Sequence, residues 1–184
     1  CGDITNRGLP EEAEILAEQL RSCRVPIVGV LGNHDYESKQ DSVIRDILKK
    51  SNFSFLDETP FVFENIGFAG VKGFGGGFGA HRLTAFGEDG LKNFVQEVTN
   101  EAQQLENLLS QLKTEKKVVA LHYAPIRDTV VNEPEEIFPF LGSSHLMEPI
   151  DTFNVSLVFH GHAHYGSYTG KTTGGVPVYN VSLP

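Results

Sequence analysis

Three apolar runs in this chain each end in a short polar cluster, and that arrangement limits the fold more than any other feature. Gly32-Asn33-His34-Asp35 follows Val25 to Leu31, His122 follows Val118 to Leu121, and Gly161-His162-Ala163-His164 follows Val155 to Phe159. A fourth cluster, Gly2-Asp3, opens the sequence. Short apolar runs bounded by polar or glycine residues read as buried strands. In open α/β sheets, functional groups gather in the crevice beyond the carboxyl ends of the strands. Asp3, Asn33, His122, His162 and His164 are therefore predicted to converge although the sequence scatters them. One carboxylate, one amide oxygen and three imidazoles suit Zn, Mn, Fe or Co better than an all-oxygen Ca or Mg cage. Such a donor set points to a hydrolytic metal centre.

The rest of the chain supplies the frame. Pro10 to Arg24 reads as a helix, with Ala13, Leu16, Ala17, Leu20 and Cys23 at helical spacing and Pro10 near its first turn. Asp41 to Lys50 is a second helix with Val43, Ile44, Ile47 and Leu48 on its buried face. Leu91 to Leu112 is the longest, with an apolar stripe of Leu91, Phe94, Val95, Val98, Ala102, Leu105, Leu109 and Leu112. Phe61 to Phe63 and Ile66 to Val71 flank Glu64-Asn65 as a hairpin. Tyr165 to Tyr168 and Val176 to Val181 read as paired strands around Gly174-Gly175. With no repeat and no linker, residues 1–184 are expected to form a single domain: two sheets covered by helices.

Two segments stand apart. Gly70 to Arg82 holds six glycines but lacks the strand-to-helix frame and the Gly-Lys-Ser/Thr ending of a phosphate-binding P-loop. Pro125 to Met147 reads as a long irregular stretch of the kind that forms lids or binding loops.

Composition closes off several classes. The chain has 15 basic and 24 acidic residues, a net charge of −9. Non-specific nucleic-acid binding, which needs a positive field, is not expected, nor is a membrane partner. Two cysteines, Cys1 and Cys23, make no disulfide framework and fit a reduced, cytoplasmic setting. No apolar run reaches transmembrane length.

The series Gly2-Asp3…Gly32-Asn33-His34-Asp35…His122…Gly161-His162-Ala163-His164 resembles the calcineurin-like metallophosphoesterase superfamily, in the family's order and across nearly the whole chain. The resemblance implies a four-layer αββα sandwich of two mixed sheets flanked by helices. The family's opening Asp-x-His motif is absent from these residues, so the N-terminal strand-helix-strand segment is expected to lie outside them. The resemblance further implies two divalent transition metals, with Asp3 as the bridging ligand. One metal would take Asp3, Asn33, His122 and His162; the other would take Asp3 and His164 together with groups from the absent segment. A metal-activated hydroxide would attack phosphorus in line. His34 would face the scissile phosphate and protonate the leaving oxygen, with Asp35 or Asn6 orienting it. Asn6 departs from the aspartate that many protein phosphatases of the superfamily carry there.

Arg7, His81 and Arg82 are candidate substrate contacts, each weighed against a plain surface role. His160 is expected to be a packed or supporting histidine. The expected function is hydrolysis of a small phosphomonoester or phosphodiester, a nucleotide among the candidates. A non-catalytic protein-binding scaffold on the same fold is the alternative. Retention of both Gly-Asn-His-Asp and Gly-His-Ala-His favours catalysis.

Overall fold

The computed structural model describes residues 1–183. Its helices are α1 (Pro10–Leu20), α2 (Asp41–Lys49), α3 (Asp89–Gln111), α4 (Phe138–Leu141) and α5 (Met147–Thr152). Its strands are β1 (Ile27–Gly29), β2 (Phe53–Phe55), β3 (Phe61–Phe63), β4 (Ile66–Val71), β5 (Lys116–Leu121), β6 (Leu157–His160), β7 (Thr169–Lys171) and β8 (Pro177–Asn180). β1 and β2 form a small sheet. The other six form a second sheet in the order β3-β4-β5-β6-β8-β7.

The large sheet is mixed: β4, β5, β6 and β8 run parallel, and the edge strands β3 and β7 are antiparallel. The two strands of the small sheet pair parallel. The reason lies in the connection. β1 reaches β2 through α2, and a helical crossover of that kind joins parallel strands.

The layers follow from which faces are apolar. Ala13 and Ala17 of α1 and Ile44 and Leu48 of α2 pack with Phe53 and Phe55 on the small sheet. Val98, Leu105 and Leu109 of α3 and Ile150 of α5 pack on Ala69, Val119, Leu121 and Val158 of the large one. Val30 and Leu56, just past β1 and β2, meet β4 at Gly70 and so bring the two sheets face to face. The result is the four-layer αββα arrangement.

Several boundaries moved, each for a local reason. α1 stops at Leu20, not Arg24. Cys23 turns back to donate to the Leu20 carbonyl at 2.9 Å, and Pro26 bars helical geometry at the residue before it. The hairpin at Glu64-Asn65 is as expected, both residues taking positive φ (45° and 65°). Tyr165 to Tyr168 is not a strand: the chain turns there, Gly166 donating to the Ala163 carbonyl, and β7 begins only at Thr169. The stretch from Pro125 to Met147 contains α4, which Phe138 and Leu141 anchor by burial. β2 was missed, since Phe53-Ser54-Phe55 is too short for alternation to announce it.

The opening segment, through Leu9, belongs to no helix or strand and is held by two carboxylates. Glu12 accepts from the N–H groups of Asn6, Arg7 and Leu9 at 3.3, 3.0 and 3.2 Å. Asp35, 0% exposed, accepts from Ile4 N (3.2 Å), Thr5 N (2.7 Å), Thr5 Oγ1 (2.7 Å) and Gly32 N (2.7 Å). It thereby ties the opening segment to the end of β1.

Replacing Asp35 with alanine strands several buried donors, at about 1–3 kcal/mol each. Asp35→Ala is expected to lower unfolding free energy by roughly 3 kcal/mol or more, and Asp35→Asn by less. Urea denaturation followed by circular dichroism checks this; an Asp35→Ala midpoint equal to wild type would contradict it.

Candidate metal centre

The carboxyl ends of β1, β5 and β6 open on the same side of the sandwich, and the opening segment crosses there. Asp3, His122 and His162 each direct a donor atom into one cluster, with all three atoms within 4.8 Å of one another. Asn33 joins them: its Oδ1 lies 2.7 Å from His122 Nε2, and Asp3 Oδ1 lies 3.5 Å from the same nitrogen. The main-chain N–H of His34 donates to Asp3 Oδ1 at 3.0 Å. Gly32 makes this approach possible, since a Cβ there would strike Asp3 and come within 2.7 Å of His122 Cε1.

Asp3 (φ 50°) and His162 (φ 69°) both adopt left-handed backbone geometry. That is uncommon for residues with a side chain and recurs at functional sites.

The tautomers of the site histidines are set by main-chain carbonyls. His122 Nδ1 lies 3.0 Å from the Cys1 carbonyl, His162 Nε2 3.2 Å from that of Phe140, His164 Nδ1 2.6 Å from that of Leu183, and His34 Nδ1 2.8 Å from that of Asn6. A carbonyl only accepts, so each ring gives one N–H to the backbone, and a neutral ring then keeps its lone pair on the other nitrogen. This is the arrangement ligating histidines commonly show. His122 meets oxygens at both nitrogens, Cys1 O at Nδ1 and Asn33 Oδ1 with Asp3 Oδ1 at Nε2, while a neutral ring has one N–H, so one nitrogen faces an acceptor with its lone pair whichever tautomer is present. A cation resolves that conflict, and the donor set of imidazole, carboxylate and amide oxygen fits a divalent transition metal.

Electrostatics favour the same state. Burial, with His162 next to it, pushes the His122 imidazole down to about 2, and burial also lowers His162. Both rings are therefore neutral, as ligands must be. Burial raises the Asp3 carboxyl above its usual range, against the lowering effect of the His34 N–H.

His164 is placed differently. It is exposed and lies outside the three-residue cluster, its ring bound to Leu183 at the surface. Asp35 does not orient His34, because its oxygens are taken up by Ile4, Thr5 and Gly32. The Asn6 main-chain carbonyl holds that ring, at 2.8 Å from Nδ1. Arg7 is exposed, with its N–H on Glu12 and its carbonyl on Ser38. Arg82 is paired with Glu148 at 2.6 Å, and His81 is exposed near Phe138 and Glu135 on the outer side of the glycine-rich loop. None of these three enters the cluster. His160 is fully buried with both nitrogens bonded, to Gly161 O (2.8 Å) and Thr129 Oγ1 (2.7 Å), which makes it a packed histidine.

Three neighbours were not singled out from sequence. The Tyr123 ring lies 4.4 Å from that of His162 and 5.3 Å from that of His122. Lys72 offers its carbonyl to the N–H groups of both His122 and Tyr123 and pairs with Glu101 on α3 at 3.4 Å. Glu101 in turn accepts from Gly73 N at 2.7 Å, locking the end of β4. A lysine closing the apolar run of β4 was the available signal.

Comparison with known proteins fits this geometry. The sequence model of the calcineurin-like phosphoesterases matches residues 1–166, and the chain belongs to that family. Membership implies divalent metal cofactors. No curated protein matches the sequence. Among solved structures, the phosphopantetheinyl hydrolase of Mycobacterium tuberculosis superposes with a TM-score of 0.72 at 14% identity, covering 100% of this chain and 77% of that one. A protein assigned as a 5'-nucleotidase from Staphylococcus aureus, in complex with alpha-ketoglutarate, gives 0.54 at 13% identity, covering 98% of this chain and 36% of its own. At these identities the likeness is one of fold.

The buried histidines make stability depend on pH. Burial lowers His160 to about 4 and His122 to about 2, against an ordinary 6.5. Between those values the unfolded chain binds protons that the folded chain does not. Their contribution is therefore complete above about pH 6.5 and is lost as pH falls, at up to about 1.4 kcal/mol per unit for each group. In metal-free protein, urea midpoints are expected to be flat from pH 7 to 8 and to fall from pH 6.5 to 4.5. His160→Gln should make that fall shallower; an unchanged slope would count against this assignment.

Proposed function

We propose that this protein hydrolyses a small phosphoester, a monoester or diester, at a divalent transition-metal centre built on Asp3, Asn33, His122 and His162. The carrying observation is the His122 ring, held neutral with oxygen acceptors at both nitrogens, a geometry that calls for a cation. A second metal, for which Asp3 and His164 are the ligands this chain offers, completes the dinuclear reading. When bound, such metals polarise a phosphoryl oxygen and acidify water near neutral pH.

The chain's own residues do the rest. Asp3 is fixed by the His34 N–H so that its carboxylate faces the cluster. Asn33 contributes an uncharged oxygen. His34, with Nδ1–H on the Asn6 carbonyl, is the group assigned to protonate the departing oxygen, which it does as the imidazolium by giving up a proton carried on Nε2. No helix among the described residues is long and apolar enough to cross a membrane, and the substrate is taken to be a small molecule.

The test uses the intact protein. Metal content by mass spectrometry and turnover of a chromogenic phosphodiester are measured for wild type, His34→Ala and Asp3→Ala. His34→Ala is expected to keep its metal and lose roughly 10²–10⁴-fold in turnover, the scale of a missing general acid. Asp3→Ala is expected to lose metal. Metal-loaded wild type that hydrolyses no phosphoester would favour a binding scaffold.

A further inference from the structure

The cluster of Asp3, His122 and His162 has aromatic neighbours on one side. An arc of aromatic rings leads away from it. Tyr123 packs on His162 at 4.4 Å, Phe74 on Tyr123 at 5.7 Å, Phe94 on Phe74 at 4.8 Å, and Phe140 on Phe94 at 6.0 Å and nearly perpendicular. The first four rings are buried or half-buried, while Phe140 is 59% exposed. The arc returns to its starting point through the backbone, because the Phe140 carbonyl is the group that accepts from His162 Nε2.

The position of Phe140 is built. Its neighbours Phe138 and Leu141 are buried anchors of α4. Gly76 N–H donates to the Pro139 carbonyl at 2.6 Å, and Ala124 N–H to that of Leu141 at 3.0 Å. Gly75 lets the glycine-rich segment lie against this turn: a Cβ there would come within 2.5 Å of Pro139 O and 3.0 Å of Phe94 Cζ. The edge of Phe94 fixes the Phe140 ring while leaving much of it open to solvent. Other exposed aromatics, such as Phe86, are not linked to the cluster in this way.

An aromatic ring held in place with an open surface beside a phosphate-handling centre is a stacking platform for a flat π-system. The Phe140 carbonyl sits 3.2 Å from His162 Nε2, so this platform stands next to the cluster. We infer that Phe140 is a specificity-determining residue that stacks the base of a nucleotide substrate, an assignment that rests on the phosphoesterase reading above. Phe74, Phe94 and Gly75 hold it in position. The two segments that set it, the glycine-rich stretch and the Pro125 to Met147 loop, thus act on the substrate through one side chain.

Two arms test this in the intact, metal-loaded protein. In the first, KM is measured for a nucleotide phosphoester and for the matching ribose phosphoester without a base. Phe140→Ala is expected to raise KM roughly tenfold for the nucleotide, the size of one base–aromatic stack, to leave the base-free ester unchanged, and to leave metal content unchanged. Phe140→Tyr should restore the wild-type value. In the second arm, calorimetry measures binding of a non-hydrolysable nucleoside phosphonate and its base-free counterpart to the same variants, with the same pattern expected in affinity. Equal effects of Phe140→Ala on both ligands, or no effect on either, would overturn the inference. If wild type hydrolyses neither ester, the phosphoesterase reading fails, and the binding arm still decides the role of Phe140.

Discussion

The buried carboxylate of Asp35 holds the site together. It lies in a short turn after β1, yet its oxygens accept from Ile4, Thr5 and Gly32. The opening segment has no place in either sheet, and these bonds, with those of Glu12 and those to His34, Ser38 and His122, fix it. Asp3 is adjacent to the residues so held, and Asn33 and His34 share a turn with Asp35. The position of one candidate ligand relative to another therefore depends on a residue that meets neither metal nor substrate. A carboxylate suits this task because it accepts several N–H bonds at once without a donor of its own to satisfy.

Around that anchor, the backbone decides what each imidazole can do. His122, His162, His164 and His34 all spend one N–H on a main-chain carbonyl, and each keeps one nitrogen free. His160 spends both on hydrogen bonds and is left as packing. The five rings differ in function through their second partner rather than through their own chemistry. Placement at strand ends brings the histidines near one another; the carbonyls set which atom faces inward.

Much of this was legible in the sequence because strand ends are legible. The runs before Asn33, His122 and His162 mark β1, β5 and β6, and parallel strands deliver their ends to the same edge. The amphipathic stripes of α2 and α3 and the Glu64-Asn65 turn were readable for similar reasons of period and turn chemistry. His164 was harder to place, since a two-residue spacing brings side chains to one side only in extended backbone, and His162 at φ 69° breaks that geometry. Asp35 looked like a partner for His34 by adjacency, whereas its bonds run to residues some thirty positions away. The aromatic arc leaves no local trace, as its members come from a loop, two helices and a strand end.

The left-handed geometry at Asp3 and His162 puts backbone strain at two candidate metal ligands. Glycine takes such angles without strain, and a non-glycine residue there costs of order 1–3 kcal/mol. A chain selected only for a stable sandwich would drift toward glycine at residue 162 and would then lack one of its donors. Histidine at residue 162 therefore holds its donor atom at a cost in backbone strain that glycine would avoid.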